Sequence, residues 1–225
     1  AKSIIGADSI NGISRKFVIG SDTKSKQKKI FRAFSFKTSS YQLARNSLQL
    51  IITSIGHFVI YPTIIDKKNA TNYIFVSADD KSTPPVIHDK ILSYLIPDDI
   101  NWDTTFSTNS NEENNTIHRN GVFLVGDASI AMPPHIAQAG NQTLEDAAFI
   151  KKCLQENNDF KQMISMFIKQ RYIKRNIISK KSRSIGKILS AQKLMGHFRN
   201  LTLKSYGNEI LETVLNPIWT SEINE

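Results

Sequence analysis

The residues best suited to chemistry lie between positions 122 and 147. An apolar segment, 122–125, is typical of a buried strand, and Gly126 and Asp127 follow at its carboxyl end. Ligands of α/β sheets bind just outside the carboxyl ends of strands. A carboxylate at such a position can accept hydrogen bonds from ribose hydroxyls, and the preceding glycine lets the backbone turn tightly. The pattern therefore predicts a ligand site around Asp127.

A rigid loop and the start of a helix complete this predicted site. Pro133 and Pro134 stiffen the loop. Small side chains then allow backbone N–H groups to approach a ligand closely, at Ala137, Gln138, Ala139 and Gly140. A helix beginning near Asn141 points its positive end at the same place. The alternative interpretation is a strand–loop–helix connection that binds nothing.

Composition sets the broad class of the protein. The chain has 225 residues, of which 40% are hydrophobic and 9% aromatic, values that fit a globular protein and exclude disorder. It contains no apolar run of 18 residues, so no transmembrane segment is expected. The start of the sequence lacks the zones of a secretory signal. The single cysteine, Cys153, is expected to be buried and inert, and we expect a cytoplasmic protein.

Positive charge is concentrated in one part of the sequence. The net charge is +9, and residues 160–204 contain no Asp or Glu. The simplest interpretation is a solvated helix face; an anionic cofactor, a nucleic acid or a membrane surface are the other interpretations of such a basic stripe. Few aromatic residues accompany these charges, so a nucleic-acid partner is not expected.

The remaining pattern predicts a mixture of strands and helices. Short segments rich in β-branched and aromatic residues predict strands, the first at 2–7 and then an antiparallel meander at 30–37, 47–54, 57–61 and 72–77. Helical spacing is present at 86–96, 142–154 and 160–184. The lysine-rich stretch 20–29 and the Asn-rich stretch 107–120 are predicted as loops. Gly186, Gly196 and Gly207 are predicted to divide the C-terminal region into short helices.

The central stretch, from Gly126 and Asp127 through Pro133 and Pro134 to 141–147, resembles the second FAD fingerprint of the p-hydroxybenzoate hydroxylase-like flavoprotein monooxygenases. The opening, 6–15, resembles that family's other internal motif, usually G-A-D-G-x-x-S-x-x-R. Arg171, Arg175 and 182–186 are similar to the long helix that follows in this family.

The resemblance implies an α/β fold of mixed α+β character, in which part of a Rossmann-like FAD-binding domain carries an inserted antiparallel sheet and C-terminal helices. The implied domains are 1–28 with 118–186 for FAD, 29–117 for the sheet that covers the substrate, and 187–225 as a C-terminal helical segment. The implied activity uses FAD, NAD(P)H and O₂ to hydroxylate an aromatic or similar electron-rich small molecule.

Residue roles follow from the same resemblance. Asp127, preceded by Gly126, is expected to bind ribityl or ribose hydroxyls, and Pro133 and Pro134 to shape the loop beside the flavin ring. Backbone N–H groups at 137–140 and the helix start near Asn141 are expected to face the pyrimidine edge of the flavin. Asp8 and Arg15 are expected near the pyrophosphate and the approach of NAD(P)H. Weaker candidates for the substrate pocket are His57, Tyr61 and Asn72.

The sequence departs from the family pattern at several positions. Ser9 replaces a glycine, Gly12 stands where serine is common, Ile130 occupies a usual histidine position, and Ala137 and Ala139 stand where glycines are frequent. The sequence contains no G-x-G-x-x-G turn for the FAD pyrophosphate. We therefore expect a C-terminal portion, or one piece of a split monooxygenase, completed by a separate N-terminal half. The alternative is a catalytically inactive binding or assembly protein on the same scaffold.

Overall fold

The computed structural model describes residues 3–20, 26–37, 47–78, 83–87, 90–109, 116–156 and 159–219. They form a mixture of helices and sheets arranged in two compact units. Unit 1 contains 1–27, 108–186 and 202–225, and unit 2 contains 28–107 and 187–201. The predicted segment 187–225 is thus divided between the two units, and the functional domain assignments stay a prediction.

Eight strands lie within the described residues: β1 (Ile4–Gly6), β2 (Lys26–Ser35), β3 (Gln49–Ile52), β4 (Gly56–Ile65), β5 (Lys68–Ser77), β6 (Asp103–Asn109), β7 (His118–Arg119) and β8 (Val122–Leu124). The α-helices described are α1 (Ile13–Ile19), α2 (Lys90–Leu95), α3 (Gly126–Ser129), α4 (Ala139–Gln155), α5 (Phe160–Phe167), α6 (Ile173–Leu189) and α7 (Lys193–Trp219). None of the helices in these ranges is long and apolar enough to cross a membrane.

A three-stranded sheet in the order β1-β8-β7 forms the centre of unit 1. Strands β1 and β8 are parallel, with Gly6 opposite Leu124. Parallel neighbours need a long crossover connection, and here the chain between them includes residues 28–107 of unit 2. Phe123 of β8 packs edge-to-face on Phe167 of α5, with ring centroids 4.9 Å apart. Cys153 of α4 is buried in the same core, as predicted.

The predicted helix 160–184 is confirmed and extends further, because α5 continues through a π-helical turn (Ile168–Tyr172) into α6. Asp159 caps its start by accepting a hydrogen bond from the backbone N–H of Gln162 at 2.7 Å. Apolar residues at helical spacing bury one face of α5, namely Met163, Ile164 and Phe167. This long helical segment carries Arg171 and Arg175 into unit 1.

A five-stranded sheet in the order β3-β4-β5-β2-β6 forms unit 2. One face packs on α2 and is apolar, with a core of Phe31, Ala33, Phe58, Ile60, Tyr73, Phe75, Leu92 and Ile96. Alternation along each strand sends the intervening residues to the opposite face. That opposite face carries several polar residues.

The antiparallel sheet is confirmed, but its predicted order as a simple meander is wrong at β2. Strand β2 pairs with β5, not with its sequence neighbour β3. Strand β2 also begins at Lys26, inside the predicted loop 20–29, and residues 21–25 lie outside the described residues. The predicted loop 107–120 overlaps the end of β6 and all of β7, although 110–115 are not described.

The prediction that glycines interrupt the C-terminal helices is wrong at Gly186 and Gly196, but the helix is kinked beside Gly207. Gly186 lies within α6, and Gly196 and Gly207 lie within α7. A methyl group at Gly186 would overlap the His135 imidazole, so packing within unit 1 favours glycine there. Helix α7 has one non-helical residue, Tyr206, next to Gly207. The predicted helix 86–96 begins only at Lys90 among the described residues.

Gly56 at the start of β4 provides a test of the unit 2 fold. Its φ is 152°, and an added Cβ would overlap the Val76 carbonyl oxygen and the Phe75 ring. We expect Gly56→Ala to lower the free energy of unfolding by about 2–3 kcal/mol, measured by urea denaturation. Gly207→Ala is the matched control, since Gly207 is helical and has open space around it. An equal loss in both variants would contradict this assignment.

Candidate functional site

The turn after β8 is held in a defined shape. Gly126 has φ 57°, a conformation that favours glycine, and begins the one-turn helix α3. The Ser129 hydroxyl donates a hydrogen bond to the Gly126 carbonyl at 2.7 Å. Asp127 occupies the first turn, and its side chain is 47% exposed. The predicted ligand-binding carboxylate is therefore accessible at the carboxyl end of β8.

Two buried arginines hold the carbonyl groups of this turn. Arg15, from α1, donates to the carbonyl oxygens of Ala128 at 2.6 Å and Ser129 at 2.9 Å. Arg175, from α6, donates to the carbonyl oxygen of Ile130 at 2.9 Å. Three successive carbonyls are thus fixed by charge-assisted hydrogen bonds, which are stronger than neutral ones.

Asp146 in α4 connects the turn to the long helical segment. Its carboxylate accepts the backbone N–H of Gly126 at 3.3 Å and pairs with Arg171 and Arg175, each at 3.1 Å. Asp146 is 1% exposed and Arg175 is 0% exposed. Glu145 adds a pair with Arg171 at 2.5 Å. These four residues, Glu145, Asp146, Arg171 and Arg175, are called the ion cluster below.

Sequence reasoning did not assign a supporting role to the ion cluster. Arg171 and Arg175 are four residues apart, a spacing that places both on one helix face. They also lie in the long stretch without acidic residues, so a distant carboxylate had to neutralise them if they were buried. That signal was present, but it did not identify Asp146 as the partner.

The electrostatic environment of Asp127 depends on the same cluster. Burial raises the pKa of the Asp127 carboxyl, and the Arg175 guanidinium, 3.6 Å from it, acts in the opposite direction. An ionised carboxylate only accepts hydrogen bonds. Asp127 is therefore equipped to bind ligand hydroxyl groups.

The proline loop reaches the helix start through a strained residue. Pro134–Ile136 form a 3₁₀ turn, and Ala137 follows in the left-handed region with φ 52°. The Ser182 hydroxyl of α6 donates to the Pro133 carbonyl at 2.7 Å and fixes the loop. The left-handed conformation gives a physical reason why glycine would be favoured at position 137.

Helix α4 begins at Ala139, two residues before the predicted start at Asn141. The backbone N–H of Gln142 makes a hydrogen bond to the Gln138 carbonyl at 2.9 Å. The N–H groups of Ala139, Gly140 and Asn141 therefore belong to the first helical turn, which has no earlier helical carbonyl to bind. Space around Gly140 is open. This helix end can accept an anionic or electron-rich group.

Asp8 lies in the turn after β1, and its carboxylate is already hydrogen-bonded to the start of α1. Its carboxylate accepts hydrogen bonds from the Ser14 hydroxyl and, at 2.9 Å, from the Ser14 backbone N–H. These bonds hold the pKa of the Asp8 carboxyl below its usual value. A side chain at Gly12 would overlap Asp8, and Ser9 has φ 72°. The parallel pairing of β1 and β8 places this turn and the Gly126 turn after neighbouring strand ends.

The three weaker candidates lie in unit 2. Tyr61 and Asn72 are opposite each other on β4 and β5, so they share one face of the sheet. His57 lies on β4 and is fully buried. No group of three His, Cys, Asp or Glu side chains that could hold a metal ion is present among the described residues.

Comparison with solved structures identifies the fold. The chain is similar to HpxO from Klebsiella pneumoniae complexed with FAD and uric acid, with a TM-score of 0.63, 15% identity and coverage of 95% of this chain and 59% of that one. Salicylate hydroxylase gives a TM-score of 0.63 at 17% identity, covering 99% of this chain and 65% of the enzyme. The 2,6-dihydroxypyridine-3-hydroxylase of Arthrobacter nicotinovorans gives 0.65 at 15% identity, covering 84% and 57%.

At these identities the likeness shows the fold, which is that of FAD-dependent hydroxylases. The chain spans about three fifths of the length of the structures it matches. The sequence matches no protein-family model, and comparison with curated proteins finds no match.

The strained residue of the loop provides one test of the site. Ala137→Gly removes a Cβ from an exposed left-handed position, and we expect the free energy of unfolding to rise by up to about 1 kcal/mol. Ala148→Gly makes the same change at an exposed helical position of α4, and we expect a loss of about 1 kcal/mol. Urea denaturation of both variants checks the opposite signs. A loss in Ala137→Gly as large as that in Ala148→Gly would refute the strain.

The ion cluster provides a second test. Asp146→Asn keeps the side-chain shape but leaves Arg175 buried beside a neutral amide. We expect a loss of about 3–5 kcal/mol in the free energy of unfolding at pH 7. Glu145→Gln, at a more exposed position, is the matched control and should cost about 1 kcal/mol or less. Similar stability of both variants would show that the buried pair does not hold the turn.

Proposed function

We propose that the chain is the flavin-facing part of an FAD-dependent monooxygenase that uses NAD(P)H and O₂ to hydroxylate an aromatic or similarly electron-rich small molecule. The observation that carries this proposal is the Gly126–Asp127 turn beside the start of α4, fixed by buried charges within the fold of FAD-dependent hydroxylases. Fold alone does not define activity, so the proposal depends on this geometry.

The residues present fit the flavin half of an FAD molecule. Asp127 would accept hydrogen bonds from the ribityl or ribose hydroxyls. The loop of Pro133 and Pro134 would lie beside the flavin ring, with Ser182 fixing its position. Backbone N–H groups at 138–141 would face the pyrimidine edge and favour electron density there, by the physics of an oxyanion hole. The Ala137 N–H is not one of these donors, because it donates to the Pro134 carbonyl at 3.0 Å. Arg15 would act through the carbonyls that it holds.

Bound FAD would supply the transfer of electrons from NAD(P)H and the activation of O₂. The protein would orient the flavin through Asp127 and the N-terminal turn of α4, and would exclude water through the loop. The ion cluster would matter because it fixes the backbone N–H donors before the flavin binds. Donors that are already in place need no reorganisation when negative charge develops on the flavin.

An open apolar groove supports completion by a further segment. The groove has a volume of about 520 Å³ and lies beside the edge strand β1, lined by residues including Ile5, Val125, Ala147, Ile150 and Leu154. Parallel sheets are normally covered on both faces. We propose that a strand–helix unit bearing the glycine-rich pyrophosphate turn covers this groove, either in the same polypeptide or in a separate N-terminal half.

A catalytically inactive binding or assembly protein is the second candidate. The left-handed conformations of Ser9 and Ala137, where the family often has glycine, favour it. Oxidation of NAD(P)H dependent on added FAD, once the completing segment is supplied, separates the two candidates. Its absence in an otherwise folded and FAD-loaded complex would support the inactive scaffold.

Flavin titration tests the role of Asp127. We expect the chain alone to bind FAD weakly, and Asp127→Asn to weaken binding about tenfold or more, because a charge-assisted hydrogen bond contributes about 1.5–3 kcal/mol. Quenching of flavin fluorescence measures both affinities. Asp159→Asn is the control, since it removes an equal charge from unit 1 and asparagine also caps helices well.

The outcomes separate the parts of this proposal. An unchanged affinity of Asp127→Asn for FAD would show that Asp127 does not contribute to flavin binding. Tight stoichiometric FAD binding by the chain alone would contradict the need for a completing segment.

A further inference from the structure

The start of α7 exposes an unusual amount of apolar side-chain surface. Four large residues there each expose between 51% and 69% of their surface, namely Leu194, Met195, Phe198 and Leu201. Their spacing, i, i+1, i+4 and i+7, places all four on one face of the helix. Single exposed apolar residues are normal on a protein surface, but four that share one helix face form a patch. These four residues are called the α7 patch.

The helix that carries the α7 patch is held in place on its opposite side. Gly196 is buried, and a methyl group there would come within 2.9 Å of the Ala191 carbonyl oxygen. Nη1 of Arg199 donates hydrogen bonds to the carbonyl oxygens of Leu189 and Ala191, each at 2.9 Å. These carbonyls lie at the end of α6 and in the turn that follows it. The start of α7 is therefore fixed to the end of α6, with the patch on its outer face.

Exposed positive charge borders the α7 patch. Lys187, near the end of α6, and Lys193, the first residue of α7, are both exposed. Neither lysine forms an ion pair within the part of the chain that the structure describes. Residues 160–204 contain no Asp or Glu, so no neighbour in the sequence neutralises them. The surface therefore combines an apolar helix face with uncompensated cations.

This combination selects an anionic lipid surface as the partner. A helix that lies in a membrane interface buries its apolar face at the boundary of the acyl chains and keeps its lysines among the headgroups. Anionic headgroups attract those lysines. Seven of the nine residues 193–201 are exposed, so most of the circumference of the helix is accessible. A flat lipid surface can receive such a helix without any groove.

A second copy of the chain suits this surface less well. Symmetric association brings the same patch of two chains together. Lys187 and Lys193 of one copy would then lie near those of the other, and residues 160–204 offer no carboxylate to offset the repulsion. An anionic lipid supplies both the apolar volume and the opposite charge.

We propose that the α7 patch, together with Lys187 and Lys193, docks the protein on an anionic phospholipid surface, with the start of α7 lying in the plane of the membrane interface. This contact goes beyond the proposed function and requires no flavin. Its success or failure is therefore independent of the flavin experiments.

Co-sedimentation of the full chain with phospholipid vesicles tests the proposal. We expect binding to an equimolar mixture of phosphatidylcholine and phosphatidylserine to be about tenfold or more stronger than binding to phosphatidylcholine alone, because each lysine near an anionic surface adds to the binding free energy. Added salt should weaken the binding by screening these charges. Equal binding to both kinds of vesicle, or binding to neither, would overturn the proposal.

A pair of serine substitutions tests the apolar part of the contact. Leu194→Ser combined with Phe198→Ser should weaken binding to the mixed vesicles about tenfold or more, because less apolar surface enters the acyl region. Ile64→Ser combined with Val86→Ser is the matched control, since these two residues are similarly exposed and lie in unit 2 outside the patch. The control should bind as tightly as the unaltered chain.

A pair of glutamine substitutions tests the charged part. Lys187→Gln combined with Lys193→Gln should weaken binding to the mixed vesicles about tenfold or more and leave binding to phosphatidylcholine unchanged. Lys67→Gln combined with Lys68→Gln is the matched control, because it removes two exposed positive charges at the turn between β4 and β5. Losses in this control as large as those in the Lys187 and Lys193 variant would refute a specific contact.

Sedimentation equilibrium without lipid distinguishes a protein contact from a lipid contact. A dimer that is dissociated by Leu194→Ser with Phe198→Ser would assign the α7 patch to a second copy and overturn the proposal. All the substituted side chains in the test variants are exposed, so we expect these variants to fold, and circular dichroism checks this. The lysine pair decides the matter if the serine pair does not fold.

Discussion

The buried pairing of Asp146 with Arg171 and Arg175 is the interaction on which the candidate site depends. Removing these charges from water is costly, and the arrangement is tolerable only because each charge has close partners of opposite sign. The same carboxylate also accepts the Gly126 backbone N–H. One ion cluster therefore fixes the end of β8, the start of α3 and the relative position of α4 and α6.

The site is assembled from parts of the chain that are far apart in sequence. Arg15 and Arg175 hold neighbouring carbonyls of one turn, although 160 positions separate them in the sequence. Parallel pairing of β1 with β8 brings the Asp8 turn and the Gly126 turn to neighbouring strand ends. The outcome is a set of donors and acceptors fixed before any ligand arrives, the property that electrostatic catalysis requires.

The departures from the family pattern have local physical consequences. Ser9 and Ala137 both adopt left-handed backbone conformations, each at a cost of about 1 kcal/mol relative to glycine. Gly12, by contrast, leaves the room that Asp8 requires. The fold of the FAD-dependent hydroxylases is thus retained with some strain at two turns.

The sequence by itself determined the local elements and the central motif. Alternation and helical spacing identified most of the strands of unit 2 and the long helical segment after Asp159, because these patterns reflect burial on one face. Gly126 and Asp127 were identified because a short apolar strand and a turn leave few alternatives. The resemblance to flavoprotein monooxygenases followed from the same residues and agrees with the fold.

Only the tertiary structure decided what those elements contact. The pairing of β2 with β5 depends on long-range contacts that no local pattern records. Gly186 lies within α6 despite a helix propensity cost of about 1 kcal/mol, and the His135 imidazole occupies the space that a side chain there would take. From the sequence alone, charged residues such as Arg171 and Asp146 are expected to lie on the surface. Their burial became visible only when α4 and the long helical segment were placed side by side, since a buried charge is stable only with its partner.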